Sequence, residues 1–151
     1  MSAVALSGND ATTINDRNIT DLADGDCVTL DFPNDIAVLK TGKNGNSIYS
    51  LNETGKRAEV KIKVLRGSSD DKFFNNLVAL QQNNFAGFIL LNGEFKKRIG
   101  NGQGVILSDT YIMSGGIFTK LTPAKNNVEG DTEQSTVTYT IQFANAPRVI
   151  G

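Results

Sequence analysis

The amino-acid sequence predicts a mainly β fold, a small β-sandwich or β-barrel flanked by one α-helix at about residues 69–83. Two segments, Ala58–Leu65 and 136–143, alternate apolar and polar side chains with the period of two that is typical of a half-buried strand. Between them, segment 73–80 repeats apolar residues at helical spacing. At 151 residues the chain is expected to form a single domain, residues 1–151, with a core of its own.

Short extended pieces between turns are predicted for the Asn-, Asp- and Thr-rich segment 8–26. A clear strand at 27–32 follows and ends at a turn-forming Pro-Asn-Asp sequence. Two short strands, at 36–41 and 47–51, flank a turn whose Asn-Gly pair is a strong hairpin signal. The sequence therefore predicts a β-hairpin just before the half-buried strand at Ala58–Leu65.

The helix prediction rests on its N-terminus and on its apolar spacing. A serine followed by Asp70 and Asp71 suits a helix start, because the hydroxyl caps free backbone N–H groups and the carboxylates meet the positive end of the helix dipole. The apolar residues that recur at helical spacing are Phe73, Phe74, Leu77, Val78 and Leu80. We expect this helix to pack an apolar side on a sheet. The helix end accounts for both carboxylates without any catalytic role.

Four further strands are predicted in the C-terminal half. They are expected at 86–95 with an interruption at Gly93, at 105–113, at 117–121 and at 132–143. Ser114-Gly115-Gly116 is interpreted as a hairpin-like connection between the second and the third. An acidic turn at 129–133 leads into the last strand, which a proline at position 147 is expected to stop. The cationic cluster Lys96-Lys97-Arg98 lies beside a predicted turn and is interpreted as a solvated rim.

Composition argues against several classes of function. Fifteen Lys and Arg residues nearly balance sixteen Asp and Glu residues, giving a formal net charge of −1, and the sequence has no long basic run of the kind that favours tight binding to a nucleic-acid backbone. The chain has no histidine, which removes Ser-His-Asp and Cys-His catalysis, and its single cysteine, Cys27, excludes an internal disulfide. The start resembles no secretory signal, and no apolar run reaches membrane-spanning length. We expect a non-enzymatic protein made in a cytoplasm.

Three clusters resemble ligand sites only in part. Gly55-Lys56-Arg57 lacks the first glycine and the final hydroxyl of a phosphate-binding loop. The Gly-rich segment 100–104 lacks the strand, turn and helix context of a dinucleotide fingerprint and is expected to be a loop. Asp21, Asp24 and Asp26 depart from calcium-loop spacing and are expected to form turns. No cofactor and no metal ion is predicted.

Three blocks of sequence, read in order, resemble the tail tube proteins of contractile-tailed bacteriophages, whose fold is related to that of type VI secretion tube proteins. The blocks are LADGDCVTL at 22–30, RGSSDDKFFNNL at 66–77, and EGDT at 129–132 together with YTIQF at 139–143. None of them is a chemical motif, so the resemblance rests on their order, the chain length and the single helix. Together with the strand order they span nearly the whole chain.

The resemblance implies a structural virion protein that self-assembles into hexameric rings stacked as the inner tail tube, a conduit for DNA during ejection. It implies contacts with tail sheath, baseplate and tail terminator proteins, no membrane partner, and assembly in the host cytoplasm. The sheets of six subunits would join into one barrel around the channel, and both terminal segments would pack on neighbours. A related injection device, a tube initiator or a baseplate hub protein would share the fold.

Two sets of candidate site residues follow from this resemblance. The segment around 35–57 is expected to be an extended loop or hairpin that reaches the adjacent ring, and its candidate inter-ring contacts are Lys43, Asn44, Asn46, Lys56 and Arg57. The polar side of the last strand is expected to face the channel without gripping DNA, and its candidates are Thr138, Thr140 and Gln142. The lysines and arginine at 61, 63 and 96–98 are then expected to lie away from the lumen or to pair with acids across interfaces.

The alternative is a β-sandwich receptor-binding or carbohydrate-binding module of a phage tail or baseplate. The absence of tryptophan and the presence of only three tyrosines argue against it, because sugar-binding platforms use aromatic faces. An enzyme is the third hypothesis. Because the chain has no histidine, catalysis would have to use carboxylates or a lysine.

Overall fold

The structure is a computed structural model that describes residues 4–6, 10–23, 25–124 and 135–151. The predicted acidic turn at 129–133 and the first residues of the predicted last strand, 132–134, lie outside the described residues. Within them, the fold is mainly β with one α-helix, which confirms the predicted fold class.

The described residues form eleven strands and one α-helix, with a short 3₁₀ helix at Glu53–Lys56. In chain order the elements are β1 (Ala5–Leu6), β2 (Ala11–Ile14), β3 (Arg17–Asn18), β4 (Val28–Asp31), β5 (Ala37–Thr41), β6 (Ser47–Leu51), β7 (Ala58–Leu65), α1 (Ser69–Asn83), β8 (Leu91–Gly100), β9 (Ile106–Lys120), β10 (Thr136–Asn145) and β11 (Arg148–Ile150).

Nine of these strands form one antiparallel sheet in the order β3-β2-β8-β9-β10-β7-β4. The short strands β1 and β11 add to β8 and β9. The strand β9 is long enough to pair with β8 along one edge, and with β10 and then β11 along the other. Within the described part of the chain, the hairpin strands β5 and β6 pair only with each other, as a separate two-stranded sheet.

The core lies on one side of the large sheet and under α1. Alternation along β7 and β10 is confirmed, because the apolar residues on one side of each strand are buried. They are Ala58, Val60, Ile62 and Val64 of β7, and Val137, Tyr139, Ile141 and Phe143 of β10. The helix contributes Phe74, whose ring centroid lies 5.0 Å from that of Tyr139 and 6.3 Å from that of Phe118.

The helix runs over Ser69–Asn83, as predicted, and Ser68 caps it by accepting a hydrogen bond from the Asp71 N–H at 3.2 Å. Of its five apolar positions, only Phe74 is fully buried. Phe73, Leu77 and Val78 pack against the core from partly buried positions, whereas Leu80 is exposed. The helix therefore covers the sheet with a narrow apolar strip.

The predicted strand at 86–95 is wrong in position. The strand β8 runs over Leu91–Gly100, and residues 85–87 form a turn. Among the described residues, the pairing of β8 with β9 begins at Leu91 and Gly116, and residues 85–90 pair with no strand. The cluster Lys96-Lys97-Arg98 accordingly lies within β8, not beside a turn.

The predicted connection at Ser114-Gly115-Gly116 is also wrong, because β9 is continuous through it. Gly115 has a φ of +67°, and the register with β8 shifts by one residue here, which is the geometry of a β-bulge. A Cβ at Gly116 would come within 2.5 Å of the Phe143 ring. The two glycines therefore bend a strand and make room for a core ring, and do not turn the chain back.

Candidate assembly surfaces

The predicted hairpin is present, and every residue of β5 and β6 is exposed. Register pairs share a face of the hairpin, so Leu39 lies opposite Tyr49 and Ala37 opposite Leu51. The exposed fractions of Leu39, Tyr49 and Leu51 are 60%, 79% and 75%. An isolated two-stranded hairpin is marginally stable in water, so these apolar side chains need a further surface to cover them.

The five candidate inter-ring residues are all exposed, and they lie at the two ends of the hairpin. Lys43, Asn44 and Asn46 belong to the tip, where Gly45 has a φ of +83° and its N–H donates to the Gly42 carbonyl at 3.0 Å. Lys56 and Arg57 lie at the base, at the end of the 3₁₀ helix. Five residues of strand span roughly 17 Å, so the tip and base residues form two separate groups.

The two flanks of the hairpin meet in close backbone contact at its root, residues 35–36 and 52–55. Gly55 is buried, and a Cβ there would lie 2.5 Å from the Asp35 carbonyl oxygen and 2.6 Å from the Ile36 Cα. The N–H of Asn52 donates to the Ile36 carbonyl at 2.9 Å, and the Asn52 side chain accepts from Thr54. These contacts therefore hold the two arms of the hairpin together at its root.

The candidate lumen residues lie on the side of β10 opposite the core, as the alternation predicts. They are not equally accessible, because Thr140 is buried while Thr138 and Gln142 are partly exposed. The register with β7 places Thr138 opposite Lys63, and Thr140 opposite Lys61.

This face of the sheet therefore carries charge. Gln142 lies opposite Glu59, to which its side-chain amide donates at 3.3 Å. Glu59 in turn lies 3.7 Å from the ammonium group of Lys61. The register places these residues on one side of the sheet, so Thr138, Thr140 and Gln142 cannot face a channel while Lys61 and Lys63 lie away from it.

The large sheet has open edges within the described residues. The strand β4 ends the strand order on one side and β3 on the other. Unpaired strand edges present backbone N–H and C=O groups that another chain can use.

Among the described strands, the C-terminal strand β11 pairs with β9 alone, and an ion pair between Arg148 and Asp109 joins the two strands. The Arg148 guanidinium donates to both carboxylate oxygens of Asp109, at 2.8 and 2.7 Å, and lies over the Tyr111 ring. The hydrogen bond from Arg148 holds the pKa of Asp109 below its ordinary value, although burial opposes the shift. The sequence analysis predicted no strand after Pro147. A strand of three residues has too short a pattern to be recognised locally, and the carboxylate that holds Arg148 lies 39 positions earlier in the sequence.

Asp70 makes buried tertiary hydrogen bonds that the sequence analysis did not predict. It is fully buried, and its oxygens accept hydrogen bonds from Arg17 Nε at 2.9 Å, from the Thr20 N–H at 2.8 Å and from the Asp21 N–H at 2.7 Å. Burial alone would raise its pKa, but the N–H of Asp21, the guanidinium of Arg17 and the N–H of Thr20 together lower it. The carboxylate therefore ties the N-terminal loop to the helix start.

Asp71 has a different tertiary role from that of its neighbour. Its carboxylate accepts from the Gly67 N–H at 2.7 Å and from the Tyr139 hydroxyl at 2.5 Å. Burial, reinforced by this carboxylate, raises the pKa of the Tyr139 phenol. Both acids at the helix start thus join elements that are far apart in sequence, which the helix dipole alone did not predict.

The described residues contain no group of three or more metal-ligating side chains, and no helix among them is long and apolar enough to cross a membrane. The predicted turn aspartate Asp24 lies outside the described residues, whereas Asp21 accepts from the Ser69 hydroxyl at 2.9 Å. In comparisons with known proteins, no family model and no curated protein matches this chain.

Proposed function

We propose that this protein is a structural subunit that self-assembles into stacked hexameric rings, the inner tube of a contractile phage tail through which DNA passes during ejection. The proposal rests on the three resembling blocks, on the open sheet edges and above all on the exposed hairpin. It assigns no bond-making or bond-breaking step to the chain.

The observation that carries the proposal is the hairpin formed by β5 and β6. Its two strands pair with no other strand that the structure describes, and all their residues are exposed. In a polymer, a hairpin with exposed apolar residues on both faces can cover apolar surface on the next copy. In an isolated monomer it would remain an exposed two-stranded sheet of marginal stability.

The rest of the surface supports the same conclusion. Twenty-one large hydrophobic side chains of the described residues are exposed, against sixteen hydrophobic residues that are buried. Single exposed apolar residues are ordinary, but contiguous ones mark interaction surfaces. A ring in which the β4 edge of one subunit meets the opposite sheet edge of the next would remove both open edges, as closure does in a barrel.

The channel wall of such a tube would carry charge if the outer side of β7 and β10 faces it. Thr138, Thr140 and Gln142 would then share the wall with Lys61, Lys63 and Glu59. These three charged residues leave one excess positive charge per subunit, and Glu59 lies close enough to Lys61 to offset part of it. The proposal thus includes a wall that is weakly basic in this strip, not the uncharged wall that β10 alone suggests.

Electron microscopy of the purified chain, over a range of protein concentrations, tests the proposed function. We expect rings or tubes with a central channel, and size-exclusion chromatography should give a species of about six subunits or larger. A protein that stays monomeric at high concentration, with tail assembly partners present, would contradict the proposal. Glycan binding by such a monomer would instead support a receptor-binding module.

The proposed partners outside the tube are the tail sheath, the baseplate and the tail terminator, and the proposed location is the virion after assembly in the host cytoplasm. A tube protein should polymerise to indefinite length, whereas a tube initiator or hub protein of the same fold should stop at one ring. The length distribution of the particles therefore distinguishes these roles.

A further inference from the structure

The longest uncharged stretch of this protein carries several exposed apolar side chains. Residues 73–93 contain no Asp, Glu, Lys or Arg, and they cover most of α1 and the chain up to the start of β8. Their exposed apolar side chains are Leu80, Phe85, Ile89 and Leu90, and Ile89 is 85% exposed. We call these four residues the ledge. Depletion of charge together with exposed aromatic and aliphatic residues is typical of the centre of a protein interface.

A cavity of about 380 Å³ opens at the ledge. Its lining includes Leu77, Leu80, Phe88, Ile89, Asn15 and Asn84. The Asn15 side-chain oxygen already accepts from the Asn92 N–H at 3.0 Å, and that of Asn84 from the Gly87 N–H at 3.1 Å. Their amide NH₂ groups are therefore the donors that an entering polar atom would meet. The site suits a large apolar side chain with one oxygen at its end.

The hairpin offers such a side chain on an uncharged face. Register pairing groups Leu39, Tyr49 and Leu51 with Ala37, Thr41 and Ser47 on one face, whereas Lys40 lies on the other with Val38 and Ile48. Tyr49 is 79% exposed, the largest exposed fraction on the hairpin's large apolar side chains. A tyrosine buries a large ring and needs a partner for its hydroxyl, which the asparagines of the cavity supply.

The absence of charge on both surfaces favours this pairing over others. A charge that is buried without a partner carries a large desolvation cost, so two uncharged faces dock without that cost. The outer face of β8 and β9 also carries exposed apolar residues, but Ile112 there lies directly opposite Glu94, and Ser108 opposite Arg98. Docking the hairpin on that face would cover charged groups.

We propose that the uncharged hairpin face of one copy docks on the ledge of a second copy, with Tyr49 entering the cavity beside Asn15 and Asn84. The inference rests on the proposed function, since it names the receiving surface for the hairpin within the assembly. It commits to a second copy of this chain as the occupant.

Photo-crosslinking locates the docking surface directly. Benzoylphenylalanine replaces Tyr49 in one variant and Ile48, on the opposite hairpin face, in the matched control. Assembled particles from a mixture of ¹⁵N-labelled and unlabelled chains are irradiated and digested with trypsin. Cleavage after Lys72 and Lys96 releases the ledge within one peptide, 73–96, and mixed isotope pairs identify crosslinks between copies.

Crosslinks from position 49 to peptide 73–96 of another copy, with at least about tenfold fewer from position 48, are the expected result. Intact rings in which position 49 crosslinks elsewhere, or in which both positions crosslink that peptide equally, overturn the docking inference and leave the proposed function standing. If the unmodified chain forms no particle in the same preparation, the proposed function fails and the docking inference fails with it.

A second measurement avoids the bulky probe. Tyr49→Ala should raise the protein concentration needed for assembly at least about tenfold, because a buried aromatic anchor typically contributes more than 1.4 kcal/mol. Ile48→Ala should change it much less, and circular dichroism should report folded chains for both. Equal effects of the two substitutions would contradict the assignment of the faces.

Discussion

Asp70 illustrates how one residue can hold distant segments together. A fully buried carboxylate is stable only where its charge is compensated, and here a guanidinium and two backbone N–H groups surround it. The same contacts fix the loop after β3 against the first turn of α1. An aspartate is required at this position because of these tertiary hydrogen bonds, and helix propensity contributes little to the requirement.

Replacing Asp70 with asparagine should lower the free energy of unfolding by about 2 to 3 kcal/mol, because the charge-assisted bonds weaken and one amide NH₂ would face backbone donors. Urea denaturation at matched protein concentration measures the change. Asp26→Asn, at an exposed position, is the control and should stay within about 0.5 kcal/mol of the parent. Equal values for the two variants would show that the network contributes no stability.

Acid should destabilise the fold through Asp70 and Asp109. Contacts with Arg17 and neighbouring N–H groups, and with Arg148, hold the pKa of each carboxyl below its unfolded value of about 3.9. The stability that each contributes is present above that value and is lost as pH falls through the folded pKa. The urea concentration at the unfolding midpoint should therefore decrease as the pH falls below about 4. The decrease should be smaller in Asp70→Asn than in the parent protein. An unchanged pH profile in that variant would contradict the assignment.

At the scale of elements, the local sequence predicts the strands and the turn of the hairpin well, but it does not explain why the apolar side chains of the hairpin are exposed. Its turn residues and strand lengths follow from local chemistry, whereas the close approach of its two flanks at the root depends on how the backbone packs there. The buried Gly55 controls that root, because any side chain there meets the backbone of residues 35 and 36.

Gly55→Ala should therefore displace the hairpin and reduce ring formation, with a loss of about 1 to 3 kcal/mol in the free energy of unfolding. Thermal unfolding and negative-stain microscopy measure the two effects. Gly42→Ala is the matched control within the hairpin, because its Cβ would make only an ordinary contact of 3.6 Å with the Asn46 carbonyl. Normal assembly of Gly55→Ala would mean that the hairpin direction does not matter for ring formation.

At the scale of the whole molecule, the outer side of the large sheet joins residues that are remote in sequence. Thr138 and Thr140 of β10 and Lys61 and Lys63 of β7 lie side by side because the two strands pair in register over their full overlap. In the proposed tube, six copies would repeat this strip around the channel. The charge of this strip therefore depends on residues of both strands and cannot be deduced from β10 alone.

If this side lines the channel, assembled tubes should bind short duplex DNA weakly at low salt, and affinity should fall as salt rises because bound counterions are released. Lys61→Glu combined with Lys63→Glu should reduce low-salt binding at least about tenfold in a filter-binding or fluorescence assay. Lys96→Glu combined with Arg98→Glu, on the other half of the sheet, is the control and should have little effect. If the Lys96 and Arg98 substitutions reduce DNA binding more than the Lys61 and Lys63 substitutions do, the β8 half of the sheet lines the channel instead.

The sequence by itself determined the fold class, the helix bounds, the hairpin and the alternating faces of β7 and β10, because these features follow from side-chain periodicity, caps and turn residues that act over a few positions. Only the tertiary structure decided that the glycines at 115 and 116 bend a strand, that β8 starts at Leu91, and that Asp70 binds a distant loop. It also decided which residues share a face with Thr138 and Thr140. Strand partners and buried hydrogen bonds join residues dozens of positions apart, and no local pattern specifies such pairs.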